Sequence, residues 1–130
     1  MMPHTAEEQA NLDLVLAMFE QVLVPLDSGP VDRFIAPDYV QHSPLAPPGR
    51  DALKAFLDDI RPKSPDATHE LKRAFADGDH VILHYVVKRF IGDPGMVVCD
   101  IFRVADGMIA EHWDVIQDVV TDGPNALPQW

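Results

Sequence analysis

One stretch constrains the chain more than any other: Val97 to Val119, VVCDIFRVADGMIAEHWDVIQDV. β-Branched and apolar residues flank Ala105-Asp106-Gly107, and an Asp-Gly step inside such a run is a strong short-range signal for a β-hairpin. Two long antiparallel strands are therefore predicted. If Ala105 and Asp106 form a type I turn and Gly107 is the left-handed residue of a G1 bulge, Val104 sits opposite Met108, Phe102 opposite Ala110 and Asp100 opposite His112. Alternation then puts Asp100, Phe102, Ala110, His112 and Asp114 on one face. Ile101, Arg103, Ile109, Glu111, Trp113 and Val115 fall on the other. A two-residue turn would shift the pairing by one and set Asp100 beside Trp113. The bulged register is preferred because Gly stands third in the turn, and it makes two carboxylates and an imidazole converge among apolar neighbours.

The residues before the hairpin change period along the chain. Thr5 to Val24 has helical spacing, with Leu12, Val15, Leu16, Phe19, Val22 and Leu23 as an apolar stripe. Thr5 with Glu8 three residues on predicts a capping box, and Pro25 stops the helix. A short helix is predicted over Val31 to Ile35, ended by Pro37-Asp38. Next, Tyr39-Val40-Gln41-His42-Ser43-Pro44 reads as an extended piece presenting Tyr39, Gln41 and His42 before a bend stiffened by Pro44, Pro47 and Pro48. A further helix is expected over Asp51 to Ile60, with Asp51 as its N-cap. Beyond it the period becomes strand-like: Thr68 to Ala76 and Asp79 to Phe90 are joined at Asp77-Gly78, and Gly92, Pro94 and Gly95 turn the chain into the hairpin. The tail from Thr121 is irregular, with Trp130 expected to pack over an opening.

Helices first and an antiparallel meander after, with one short early strand, make a single α+β domain over 1–130, a curved antiparallel sheet wrapped around N-terminal helices. Such a sheet leaves a hollow at one end for a ligand. A length of 130 residues suits one core. A net charge of −11 with only ten Lys and Arg argues against nucleic acid or an anionic membrane as a partner. No apolar run is long enough to span a bilayer, and the N-terminus lacks the pattern of a signal peptide, so a cytoplasmic location is expected. The lone Cys99 excludes an internal disulfide and reads as a buried, inert thiol on the face opposite Asp100.

Three residues stand out chemically. Asp114, between Trp113 and Val115, is a carboxylate in an apolar strand, and a desolvated carboxyl group is suited to proton transfer near neutral pH. His112 shares its face. His84 lies in a run that is apolar on both sides, ILHYVV, and is expected to be buried within the same sheet. His84, His112 and Asp114 imitate a two-histidine, one-carboxylate metal site, but no ligand spacing demands it and a metal-free site is expected. Phosphate-binding glycine loops and nucleophile elbows are absent.

The whole set, Tyr39-Val40-Gln41-His42-Ser43-Pro44, Gly49-Arg50-Asp51, Gly78-Asp79 with His84 beyond, and Asp100 through Gln117, resembles the SnoaL-like polyketide cyclase group of the nuclear transport factor two-like superfamily. Its last motif, Asp-Gly-x-Ile-x-Glu-His-Trp-Asp, is similar to that of a subgroup associated with aldol condensation. The resemblance implies a cone-shaped α+β barrel with a deep pocket, a homodimer packed through the outer sheet face, and acid/base chemistry on a small molecule with no cofactor. It implies Asp114 as the acid/base, with His112 and His84 as further catalytic groups and Tyr39, His42, Gln41 and Asp100 around the substrate; Phe102 is expected there as apolar lining from its place on the shared strand face. Intramolecular aldol cyclisation or isomerisation is the leading expectation. An epoxide hydrolase or dehydratase on the same pocket, or a binding protein without catalysis, are the alternatives. Trp113, Arg103 and Ile109 are expected at the subunit contact.

Overall fold

A computed structural model describes residues 3–130. Thr5 starts the first helix, α1 (Ala6–Met18), through the capping box: its hydroxyl accepts from the Glu8 amide and the Glu8 carboxylate accepts from the Thr5 amide. The helix then widens into a π turn, Phe19–Leu23, before Pro25. Val15, Met18, Phe19 and Val22 are the buried part of its stripe. Burying four such side chains is worth roughly 1.5–3 kcal/mol each before chain entropy is counted. Helix α2 (Val31–Phe34) is short, and α3 (Arg50–Ile60) follows the proline bend.

Five strands form one sheet: β1 (Ile35–Gln41), β2 (Thr68–Asp77), β3 (His80–Lys88), β4 (Met96–Ala105) and β5 (Met108–Asp118), in the order β1-β5-β4-β3-β2. The meander from β2 to β5 is antiparallel, and β1 joins it in parallel along β5. The helices pack on the inner face, over a core that includes Val81, Leu83, Val104 and Ile109. The result is the α+β cone, a curved sheet around helices. No helix among the described residues is long and apolar enough to cross a membrane.

Several local expectations change. Pro37 and Asp38 do not end α2 but lie inside β1, both exposed. The register of β1 against β5 breaks between Ile35 and Val40, so the missing proline N–H falls in a gap on an edge strand, where it costs no ladder bond. The N-cap of α3 is Gly49, and Asp51 sits in the first turn, where its charge favours the helix dipole. Cys99 does lie on the face opposite Asp100, half-buried rather than enclosed, with burial pushing its thiol pKa up. Trp130 does not cover the inner hollow: its ring lies 5.6 Å from the Lys72 ammonium, and the neighbouring Gln129 lines a groove with His84 and Cys99.

The hairpin register is the most instructive change. Asp106 and Gly107 both have positive φ, 52° and 72°, and Ala105 pairs with Met108, so the turn is the tight two-residue kind. That alone would put Asp100 beside Trp113. A bulge intervenes: Val104 pairs with Ile109 but Arg103 pairs with Glu111, leaving Ala110 as the extra residue. Two one-residue steps restore the parity, so Asp100 pairs with Asp114 and Phe102 with His112. The face holding Asp100, Phe102, His112 and Asp114 is the one expected, although every partner differs. Ile109 moves to the inside and is fully buried, which removes it from any outer contact.

Candidate active site

The inner face of β4 and β5 meets the helices around a cavity of about 360 Å³. Met18, Leu53, Phe56, Leu57 and Phe102 give it apolar walls, and a cluster of polar groups surrounds Asp100. Asp100 is nearly inaccessible and is gripped from two sides: Tyr85 donates its hydroxyl to Oδ2 at 2.6 Å, and His112 Nε2 lies 2.8 Å from Oδ1. The other ring nitrogen, His112 Nδ1, is 2.6 Å from Gln41 Oε1. That oxygen also accepts from the Ser43 amide, and Gln41 Nε2 donates to the Tyr39 hydroxyl at 2.9 Å. The amide is thereby oriented, Nδ1 of His112 must be the donor to it, and the second ring nitrogen and Asp100 hold one proton between them.

Asp114 lies across from Asp100, and its Oδ1 is buried with no hydrogen-bond partner. Like charges directly opposite on paired strands are unfavourable, and the imidazole of His112 beside them offsets this. Burial, reinforced by the charges of Asp100 and Asp114, pushes both phenols, Tyr39 and Tyr85, well above the ordinary tyrosine range, so both keep their protons. Tyr85 spends its proton on Asp100. Tyr39 receives a bond from Gln41, and its own O–H remains free to donate.

Tyr39, Gln41, Asp100, Phe102, His112 and Asp114 thus line one cavity. His84 does not join them. Its strand is apolar on both lines, so alternation could not tell inside from outside; pairing with Cys99, the neighbour of Asp100, turns it to the outer face, where it meets Arg73 Nη1. His42 is also outside: one residue past Gln41, it stacks flat on Trp113, centroids 5.0 Å apart, and pairs with Glu111 at 2.7 Å. Tyr85 and His69 are among the lining residues that the sequence alone does not place there. The signal for Tyr85 was its hydroxyl, which demands a partner in a buried strand; His69 had none, being one polar residue in a polar strand start.

One ligand atom each from Asp100, His112 and Asp114 fall within 4.8 Å of one another, close enough to hold a cation. A cation there would have to displace the proton between His112 and Asp100 and compete with the Tyr85 bond. At the cavity's other end, Asp93 accepts from the Arg89 amide and side chain and from the Gly95 amide, which holds its carboxyl well below the usual range and fixes Arg89 along the lining.

A family model described as a SnoaL-like domain matches residues 15–112, well over half of the sequence. The chain belongs to the SnoaL-like family. Among solved structures, this SnoaL-like chain is similar to wild-type IdmH from Streptomyces antibioticus, a candidate polyketide cyclase, at 26% identity and a TM-score of 0.66, with 82% of this chain and 91% of that one covered. A candidate SnoaL-like polyketide cyclase from Jannaschia sp. CCS1 gives 20% identity and a TM-score of 0.72 over 89% and 91% of the two chains. A candidate ketosteroid isomerase from Kribbella flavida gives 18% and 0.69 over 92% and 86%. The last two likenesses are of fold. No protein of curated function matches the SnoaL-like sequence.

Proposed function

We propose that this SnoaL-like protein is an enzyme that moves a proton on a small, largely apolar carbonyl compound without a cofactor, by intramolecular aldol cyclisation or isomerisation. The observation that carries the reading is Asp114 Oδ1, a carboxylate oxygen buried at an apolar cavity with no partner of its own. A base so placed has its acceptor free for a substrate proton. Asp114 takes a proton from the carbon beside the carbonyl, and the C–H electron pair moves through the carbon–carbon bond onto the carbonyl oxygen. Tyr39 donates its free O–H to that oxygen where negative charge develops. The new carbon–carbon bond, or a shifted double bond, consumes the enolate, and Asp114 returns the proton to the alkoxide or to the second carbon. His112 and Asp100, held by Gln41 and Tyr85, position this end of the cavity and balance its charge. The match to IdmH, itself a candidate polyketide cyclase, supports the aldol form of the reaction.

The test is solvent exchange. With a panel of cyclic and acyclic ketones in deuterium oxide, the protein should catalyse deuterium incorporation next to the carbonyl, and Asp114→Asn should lower the rate by about a hundredfold or more. Oxygen-18 entering product from labelled water would instead mark a hydrolase, and binding without any exchange would mark a binding protein. We also propose that the outer sheet face forms a homodimer contact, because it exposes Val115 and Phe75 around the His42, Trp113 and His80 stack.

A further inference from the structure

The cavity has a second polar point that the proton transfer leaves unused. Among the described residues, two buried side-chain atoms lack a hydrogen-bond partner, Asp114 Oδ1 and His69 Nδ1, and both residues line the same cavity. Their backbones stand on different strands and at different levels of the sheet. Asp114 is level with Asp100, whereas His69 pairs with Val87, which pairs with Met96. Four residues of strand rise, about 13 Å along the strand direction, separate the two levels. The His69 backbone is therefore offset from that of Asp100, while its ring packs 6.0 Å from Tyr85, the residue whose hydroxyl holds Asp100.

The His69 ring is fixed in place. Phe19, brought inward at the start of the π turn, meets it edge-on with centroids 6.2 Å apart, and Tyr85, packed on Phe19 at 5.0 Å, lies 6.0 Å away. Burial pushes the imidazole pKa down to about 4, so the ring is neutral at physiological pH and carries one donor and one acceptor nitrogen. A buried polar atom without a partner weakens a fold unless some other group supplies the missing bond. Here the ring lines a space sized for a small organic molecule.

We propose that His69 is a specificity-determining residue that binds a second oxygen of the ligand, distinct from the one held at Asp114. The substrate class is then narrower: apolar molecules bearing a hydroxyl or carbonyl at two separate positions. Only the word substrate rests on the proposed function; the two-point binding stands on the two unpaired atoms.

Matched phenols test it without requiring turnover. A phenolic hydroxyl can donate to Asp114 Oδ1, and a second one can donate to or accept from His69. Affinities of two pairs of different span, phenol with hydroquinone and para-phenylphenol with para,para′-biphenol, are measured by calorimetry on the whole protein. In at least one pair the diol should bind about tenfold tighter than its mono-ol. His69→Phe should abolish that preference and leave the mono-ol unchanged. If the variant folds poorly, nitrogen-15 NMR of the unaltered protein reads the same contact: the His69 ring signal shifts with the diol and not with the mono-ol. Equal affinities in both pairs, a preference that survives His69→Phe, an unmoved His69 signal, or no binding of any phenol would each overturn the proposal. A preference that needs His69 in a protein showing no deuterium exchange would overturn the proposed function and leave this inference standing.

Discussion

At the scale of single residues, His69 also makes a prediction about acid. Its pKa falls from an ordinary 6.5 to about 4 in the folded chain, because burial disfavours the imidazolium. Between those values the unfolded chain binds a proton that the folded one does not, so stability declines as pH drops from about 6.5 toward 4. The full shift corresponds to about 3 kcal/mol, and solvent at the cavity face reduces it to about 2. Urea unfolding at neutral pH and near pH 4 should show that loss in the natural protein and a smaller one in His69→Phe. Asp93 acts in the same direction lower down: its stabilising contribution is present above the ordinary carboxylate value and is lost as pH falls further. Much of the site was readable residue by residue. Asp100, Phe102, His112 and Asp114 share a face because strands alternate, and Tyr39 with Gln41 follows from the same rule. His84 was misplaced because ILHYVV is apolar on both lines, and only its pairing with Cys99 settles its direction.

At the scale of elements, the β4–β5 hairpin shows why the right face emerged from the wrong register. The sequence signal Asp-Gly identifies a turn but not its length, and Ala110 carries no mark of a bulge. Each feature alone reverses the strand, and together they cancel. Deleting Ala110 should therefore remove the bulge and leave the other pairs as they are, Arg103 with Glu111 and Asp100 with Asp114, so that His112 and Asp114 stay inward. The expected outcome is deuterium exchange kept within about tenfold and a sharp unfolding transition retained, measured by mass spectrometry and circular dichroism; loss of both would show that the bulge itself is needed. The helices were more legible than the strands. Thr5 and Glu8 announced their capping box, and Val15, Phe19 and Val22 their buried stripe. What the spacing did not contain was the π turn that carries Phe19 against His69 and Tyr85, since a widened turn leaves apolar periodicity nearly intact.

At the scale of the whole molecule, the sheet separates two kinds of surface: an inner face whose charged groups are paired or enclosed, and an outer face on which aromatic and apolar groups are open. Val115 is 69% exposed and Phe75 54%. Sedimentation should show a dimer at micromolar concentration, and Val115→Asp should shift it to monomer with the deuterium exchange rate kept, because Val115 points away from the cavity. A monomer at all concentrations would sink the proposed contact. The parallel strand β1 has a further consequence. It brings Tyr39 and Gln41 to the part of the cavity that holds His112, yet it is an edge strand of the sheet. Pro37, exposed halfway along and unable to offer an N–H, interrupts that rim. Pro37, in the stretch where β1 leaves regular pairing with β5, thus denies foreign strands a template, and lets Tyr39 and Gln41 sit at the border of the fold without seeding fibres.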